Sequence, residues 1–380
     1  MAAVKPSLEL LRELSDEHVL RALMDETRLT RAELAARTGI SKPTVGESVR
    51  RLDAAGIVVD TGVRSTGRGR AGSYYALSEG IGCALAVSIA PAGIGAELVD
   101  AHGDVAGQVS EPLRRPARTA NVTASVRAAC QRASESARGP VRLAVVSVAD
   151  PVDRVTGRLV QLPDSPFLVG ELSPANALDG IVSGPVIVDN DVNWAARAER
   201  SADGPGPMDD FVYLYLGEGL GSAVVSDGEV RRGHGGLAGE IAHVLTAGPG
   251  RRAMAFIDVF GALGLRHPGS TAIDVAKLAA TVAGSARAAQ AMRLALGTAV
   301  AGVISAAVAL TDPAAVIIGG TWGTNPPVLE AVRAACEHLP RPIAIRRALV
   351  TADAALAGAR AHAVHELQSA ITQYRTTLLS

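Results

Sequence analysis

Residues 30–52 read TRAELAARTGISKPTVGESVRRL, and this stretch predicts a helix pair of the kind that reads DNA. Thr30 and Glu33 have the T-x-x-E spacing of a capping box, which opens a short helix through Arg37. Gly39 supplies the tight turn, where a left-handed backbone costs glycine little. Ser41 then N-caps a second helix, with Pro43 tolerated in its first turn. Val45, Val49 and Leu52 recur at helical spacing and are expected to face inward. That leaves Lys42, Thr44, Glu47, Ser48 and Arg51 for the opposite face. A polar helix N-terminus carrying a lysine and hydroxyls suits phosphate and base-edge contacts in a major groove.

The next twenty-five residues or so fit a wing. Ile57-Val58-Val59 reads as a strand, residues 65–73 (STGRGRAGS) as a flexible basic loop, and Tyr74-Tyr75-Ala76-Leu77 as a returning strand. Nine Lys/Arg against four Asp/Glu between Arg28 and Arg70 give a local net of +5, whereas the whole chain is −1. Positive charge gathered on one segment of a neutral chain is the electrostatic footprint of a DNA-binding module. The expected DNA-contacting set is Ser41, Lys42, Thr44, Ser48 and Arg51 on the helix, with Arg64, Arg68 and Arg70 on the wing.

Bulk properties point to a soluble cytoplasmic chain with more than one domain. A length of 380 residues exceeds one comfortable core. Cys83, Cys130 and Cys336 lie far apart without C-x-x-C spacing, so neither a disulfide framework nor a cysteine-rich zinc site is indicated. The opening MAAVKPSLELLREL lacks the layout of a signal peptide. The apolar segment Leu294–Leu310 is broken by Gly297, Thr298, Gly302 and Ser305, and reads as a helix buried against a sheet, not a membrane span. Aromatic residues at 3% argue against a protein that stacks single-stranded bases.

Beyond residue 80 the chain echoes itself. Cys83–Gln108 reads as strand, small-residue turn, strand, turn, strand; Phe211–Arg232 repeats the plan with Gly217-Glu218-Gly219 at the first turn. Further apolar strand candidates follow each: Val141–Val148 and Val186–Val188, then Ala315–Ile318 and Ile343–Val350. Two similar α/β halves with a cleft between them is the economical arrangement. The expected domains are 1–80, 81–205 and 206–380, with residues 203–207 (DGPGP) as a joint.

At this level of detail the sequence resembles the ROK family (repressor, open reading frame, kinase). Val188–Ala196, VDNDVNWAA, is similar to the family's N-D-x-N-x-A-A sugar-site motif. Gly235–His243, GGLAGEIAH, resembles its G-x-x-G-E-I-G-H motif. Asp312-Pro313 through Ile318-Gly319-Gly320 resembles its strand-to-Gly-Gly turn. The fold class this implies is α/β with an N-terminal winged helix-turn-helix: a two-lobed, actin-like, sugar-kinase-type ATPase fold, here with its zinc hairpin lost.

The departures separate regulator from enzyme. Kinases of this type carry a first-lobe D-x-G-G-T turn; the aligned residues here are Ser88-Ile89-Ala90-Pro91-Ala92, with no acid, no glycine pair, and a proline that removes a backbone donor. The second phosphate loop is Gly217-Glu218-Gly219-Leu220-Gly221-Ser222-Ala223, with Glu218 where anionic phosphate would sit. Where relatives place a zinc-binding C-x-C-G-x-x-G-C cluster, residues 244–255 (VLTAGPGRRAMA) contain no cysteine. One imidazole cannot make the closed tetrahedral site zinc needs. No metal or cofactor is therefore expected.

The sugar side is retained. By resemblance Asn190, Asp191, Glu240 and His243 match carbohydrate-hydroxyl ligands, and Asp258 falls where the family has a further glutamate. Acids, an amide and an imidazole suit polyol recognition because each bonds adjacent hydroxyls. A purely structural alternative has Asp191 and Asn193 capping the helix after the strand. The resemblance implies a DNA-binding repressor with an operator, a sugar or similar small polar effector, and a homodimeric or larger assembly. Two alternatives stay open: an active sugar kinase with an accessory winged helix, and a ligand-free DNA-binding scaffold controlled by a protein partner.

Overall fold

A computed structural model describes residues 8–65, 72–113, 117–160, 162, 168–169, 172–202 and 208–378. The expected joint at 203–207 and the wing residues Arg68 and Arg70 lie outside these described residues.

Thr30 and Glu33 form both halves of the capping box at the start of Arg31–Thr38, and Gly39 ends that helix at φ 72°. Ser41 caps the recognition helix Lys42–Ala54 by accepting from the Thr44 N–H. Val58–Arg64 and Ser73–Leu77 pair antiparallel as the wing, and Leu29–Thr30 adds a third strand. A helix with no counterpart in the sequence expectations, Leu8–Asp25, buries Val19, Leu20 and Leu23 beneath this unit.

The two α/β halves share one topology. In the first lobe the strands run Val186–Asn190, Val141–Val148, Cys83–Ala90, Gly93–Val99, Val105–Glu111; in the second, Ala344–Arg347, Ala315–Gly319, Phe211–Leu216, Leu220–Ser226, Glu229–Val230. In each sheet the first three strands are parallel and the last two join antiparallel. The internal echo in the sequence is thus a duplicated sheet.

Strand Cys83–Ala90 has apolar side chains on both faces, as a strand covered by helices on both sides must. Leu85, Val87 and Ile89 pack with Val122, Val126 and Cys130 of the helix Thr119–Ser134. Ala84 and Ala86 face the other way, toward Ala359, Ala363 and Leu367 of the C-terminal helix Ala354–Leu378. A Cβ at Gly358 would overlap the Trp194 carbonyl oxygen, so glycine sets how closely that helix approaches its neighbour Asp191–Ser201.

The second-lobe boundary of 206–380 therefore needs correction: the last helix returns to cover the first lobe. Its distal part also meets Leu8–Asp25, so one continuous core joins the winged helix to the first lobe. In the second lobe Arg287–Thr311 buries Leu296, Ala299, Val300, Val303 and Ile304. Its length and apolarity alone would pass for a membrane span. Packing gives that hydrophobicity a place in the lobe's core.

Candidate functional site

On the recognition helix, Ser41, Lys42, Thr44, Glu47 and Arg50 are exposed. The Ser41 and Thr44 hydroxyls are 2.8 Å apart, fixing the helix's leading edge. Two expected contacts are corrected. Ser48 is fully buried and donates to Asp16 Oδ1 at 2.5 Å. Arg51 makes a two-point pair with the same carboxylate, its Nη2 2.6 Å from Oδ1 and its Nε 3.3 Å from Oδ2. Asp16 is itself 3% exposed and belongs to the helix Leu8–Asp25. The reason is periodicity: Ser48 lies three residues after Val45 and four before Leu52, on the inward stripe. Arg50, one position from the residue expected, is the arginine that faces outward. Arg64 projects from the wing strand and bonds the Ser73 hydroxyl.

The second candidate region is a cavity of about 370 Å³ in the cleft between the lobes. The first-lobe turn lines it with Ala90, Pro91 and Ala92; the second-lobe hairpin lines it with Glu218, Gly219 and Gly221. Asn190, Asp191, Glu240 and His243, expected as effector residues, all reach its wall. Asp258 does not: its side chain is 61% exposed and pairs with Arg266 at 3.0 Å. It occupies the outward face of a short helix, Phe256–Ala262, whose inward neighbour Ile257 lines the cavity instead.

Asn190 caps the helix Asp191–Ser201, its Oδ1 accepting from the Val192 N–H at 2.9 Å, while its amide donates to the Asp150 carbonyl at 3.2 Å. Its polar atoms hold the cleft's shape. Asp191 follows as the first helical residue. Burial pushes its carboxyl up to about 7, and the Asp150 and Glu240 charges add to that, although the backbone N–H of Val192 draws it down. Glu240 is also pushed up to about 7, by burial and then by Asp150. The Glu240 segment is stitched to the hairpin where Ser222 donates from both N–H and hydroxyl to the Gly239 carbonyl, at 2.9 and 3.1 Å. A Cβ at Gly239 would overlap the Ser222 carbonyl, so this close approach requires glycine.

Asp150 is the residue that sequence reading missed. It lies two residues past the central parallel strand Val141–Val148 and is 4% exposed. An acid just beyond the carboxyl end of a parallel strand is the available signal, because ligands of open α/β sheets bind there. Tyr215 and Ser222 also line the cavity without having been anticipated. Burial raises the Tyr215 phenol to about 12, with the Asp191 and Glu218 charges adding to it.

Two residues before Asp191, a second aspartate has the opposite surroundings. Asp189 is 3% exposed and meets Arg197 Nη1 at 2.9 Å, Arg232 Nε at 3.1 Å and the Asn193 amide at 2.8 Å. Arg197 also stacks over Trp194, 4.4 Å from the ring centroid. Asn193 is thus neither a cap nor a cleft residue.

With both regions described, comparison with known proteins is decisive. Residues 86–259 match the family described as ROK family, and residues 12–59 match the winged helix-turn-helix DNA-binding family. The chain carries a ROK domain behind a winged helix. A solved ROK family transcriptional regulator, described as a homologue of the E. coli MLC protein, superposes with a TM-score of 0.66 at 17% identity, over 96% of this chain and 98% of that one. The xylose repressor of Caldicellulosiruptor bescii is 22% identical over 62% of this chain and 59% of its own length. The N-acetylmannosamine kinase of Salmonella typhi is 31% identical over 48% of this chain and 66% of its own. The chain therefore spans about three-fifths to two-thirds of these curated relatives.

Within this ROK domain, the two turns that face each other across the cleft are chemically uneven. In the first, Pro91 has no N–H to offer a phosphate. In the second, one donor is already engaged, the Gly217 N–H donating to the Gly219 carbonyl, and the Glu218 carbonyl accepts from the Ile273 N–H. Leu245–Ala247 and Ala253–Ala255 form a small hairpin, and Thr246 anchors it to the Ala299 carbonyl at 2.7 Å.

Proposed function

We propose that this chain is a DNA-binding transcriptional regulator, a repressor, whose cleft takes a sugar or similar small polar effector without phosphorylating it. The observation that carries this reading is a pairing within one chain. An exposed recognition-helix N-terminus, Ser41-Lys42-Pro43-Thr44, occurs in the same chain as a cleft that keeps Asp191 and Glu240 but places Pro91 and Glu218 at the two phosphate turns. Phosphoryl transfer depends on positioning and neutralising phosphate charge. A missing donor and an added carboxylate work against both. The names of the xylose repressors and of the MLC-type neighbour support the regulator reading.

The DNA-facing set is Ser41, Lys42, Thr44 and Arg50, with Arg64 and the wing arginines Arg68 and Arg70 on phosphates or the minor groove. The chain acts in the cytoplasm as a homodimer or larger homo-oligomer, so its footprint is a pair of in-phase half-sites. Control is by linkage. The helix that begins at Asp191 packs on the C-terminal helix, which packs on Leu8–Asp25, which holds the recognition helix through Asp16. A ligand that closes the cleft and an operator that needs it open disfavour each other by one factor.

Gel-shift titration of the full chain, with and without a sugar panel, is the test, together with a coupled ADP assay. Operator affinity that falls with one sugar, and no ADP release, is the expected result. ATP-dependent turnover of any hexose or amino sugar above a vector-only control would overturn the non-enzyme part. Operator affinity indifferent to every sugar would favour control by a protein partner.

A further inference from the structure

We propose that the cleft selects a polyol bearing a protonated amine, an amino sugar with a free amino group, over neutral sugars and sugar phosphates. This rests on the reading that the cleft takes a small polar effector, and it names the chemical class of that effector.

The cavity presents four carboxylates: Asp150, Asp191, Glu218 and Glu240. Among its described lining residues there is no lysine or arginine. The four acids come from separate strand ends and turns of both lobes, so their sharing one cavity is a property of the cleft and not of one acidic run. The contrast with Asp189 is direct. There the same chain answers a buried aspartate with two arginines and an amide. In the cleft it answers two partly buried acids with a third acid, Asp150, whose charge acts on both.

A neutral polyol can bond to these acids, but it leaves the repulsion among Asp150, Asp191 and Glu240 in place. A cation within ~4–6 Å relieves it. A bare metal ion fits less well. Among the described residues no three His, Cys, Asp or Glu side chains are grouped closely enough to hold one. The acids are instead spread around about 370 Å³, with Ala90, Pro91, Ala149, Ile257 and Val275 supplying apolar wall between them. That arrangement suits a carbon ring with one cationic and several hydroxyl substituents. A phosphate on the ligand would meet Glu218 and find no N–H at Pro91.

Proton release gives a further signature. Asp191 and Glu240 share their protons with solvent near pH 7 in the free cleft. A bound cation favours their ionised forms and so expels protons. Glu218, Asp150, Tyr215 and His243 are the other titratable groups facing them.

The experiment is calorimetric titration of the full chain at pH 7 in two buffers of different ionisation enthalpy, paired with thermal shifts. The probes are D-glucosamine, D-galactosamine and D-mannosamine, each against its parent hexose, its N-acetyl form and its 6-phosphate, with D-xylose and magnesium and calcium chloride alongside. The expected result is at least one amine binding about tenfold or more tighter than its parent and its N-acetyl form, with net proton release; tenfold is the order of one partly desolvated charge pair. Glu218→Gln should shrink the amine-to-parent ratio. Asp150→Asn should do the same, and Glu218→Gln, at a half-buried turn, keeps the test valid should Asp150→Asn misfold. A neutral or N-acetylated sugar binding as tightly as the amine, a 6-phosphate binding tighter, or a metal chloride giving an equal shift would each overturn the proposal while leaving an effector cleft in place. Silence from every probe would overturn it together with the effector reading.

Discussion

Asp189 and Asp191 stand two residues apart at one strand–helix junction, yet they meet opposite fates. Asp189 turns into the protein, where Arg197, Arg232 and Asn193 satisfy it. Asp191 turns into the cleft, where burial raises its pKa and the Asp150 and Glu240 charges add to that. The first is a structural charge, matched by the fold. The second is held at a cost to stability, in a place where a ligand can offset that cost. Perturbed acids in a cleft mark functional sites for this reason.

The largest expected effect tests the Asp189 side. Removing one partner of a buried pair leaves the others uncompensated, so Asp189→Ala should destabilise the chain by about 3–5 kcal/mol. Chemical denaturation would read it. Asp191→Asn should cost little or stabilise, while abolishing ligand-induced thermal shifts. Equal destabilisation by the two substitutions would break the comparison.

The pH dependence sharpens it further. Asp191 and Glu240 hold their protons to about 7 in the folded chain, against ~4 for such carboxyls in the unfolded one. Between those values the folded state binds more protons, so stability should fall as pH rises from about 4 toward 7 and level off above. The ligand-free melting midpoint should therefore drop by several degrees across that window. The double variant Asp191→Asn, Glu240→Gln should flatten the profile and melt higher at pH 8. An unchanged slope would show that these acids are not the source.

A similar contrast separates the two faces of the recognition helix. Asp16→Ala strips Ser48 and Arg51 of their shared acceptor and should cost about 1–3 kcal/mol of stability. Lys42→Ala should leave stability unchanged and weaken specific DNA binding by about 1–3 kcal/mol. Arg50→Ala should weaken binding to all sequences and reduce the salt dependence by about one phosphate contact, the smallest of these effects. Gel shifts at several salt concentrations distinguish the last two. Loss of DNA affinity in a folded Ser48→Ala protein, with Arg50→Ala silent, would return Ser48 to the DNA-facing side of the helix.

Local signals in the sequence located much of this. The capping box, the Gly39 turn and the Ser41 cap rely on contacts within a few residues, so spacing alone placed them. The duplicated sheet was legible because each half repeats the same run of apolar strands and small-residue turns. Asn190, Asp191, Glu240 and His243 reached the cavity wall as expected, each from a short motif fixed to the end of a strand or a turn. Asp258 did not, because its place depends on which face of the short helix Phe256–Ala262 turns inward, and Ile257 took that face.

Other features depend on parts of the chain that meet only when it folds. Asp16 sits 32 residues before Ser48 and reaches it through a helix that lies outside the helix-turn-helix motif. The C-terminal helix crosses back to the first lobe because Ala84 and Ala86 leave room for it and Gly358 lets it come close. Asp150, Asp191 and Glu240 are ordinary acids along the chain, separated by tens of residues, and act on one another only across the cleft. The sequence by itself determined the capped helices, the wing and the two-lobed plan, since hydrogen bonds and apolar periodicity act over short spans. The tertiary structure alone decided which acids meet arginines and which line the cleft, because charge interactions follow distance in space and burial, neither of which the order of residues records.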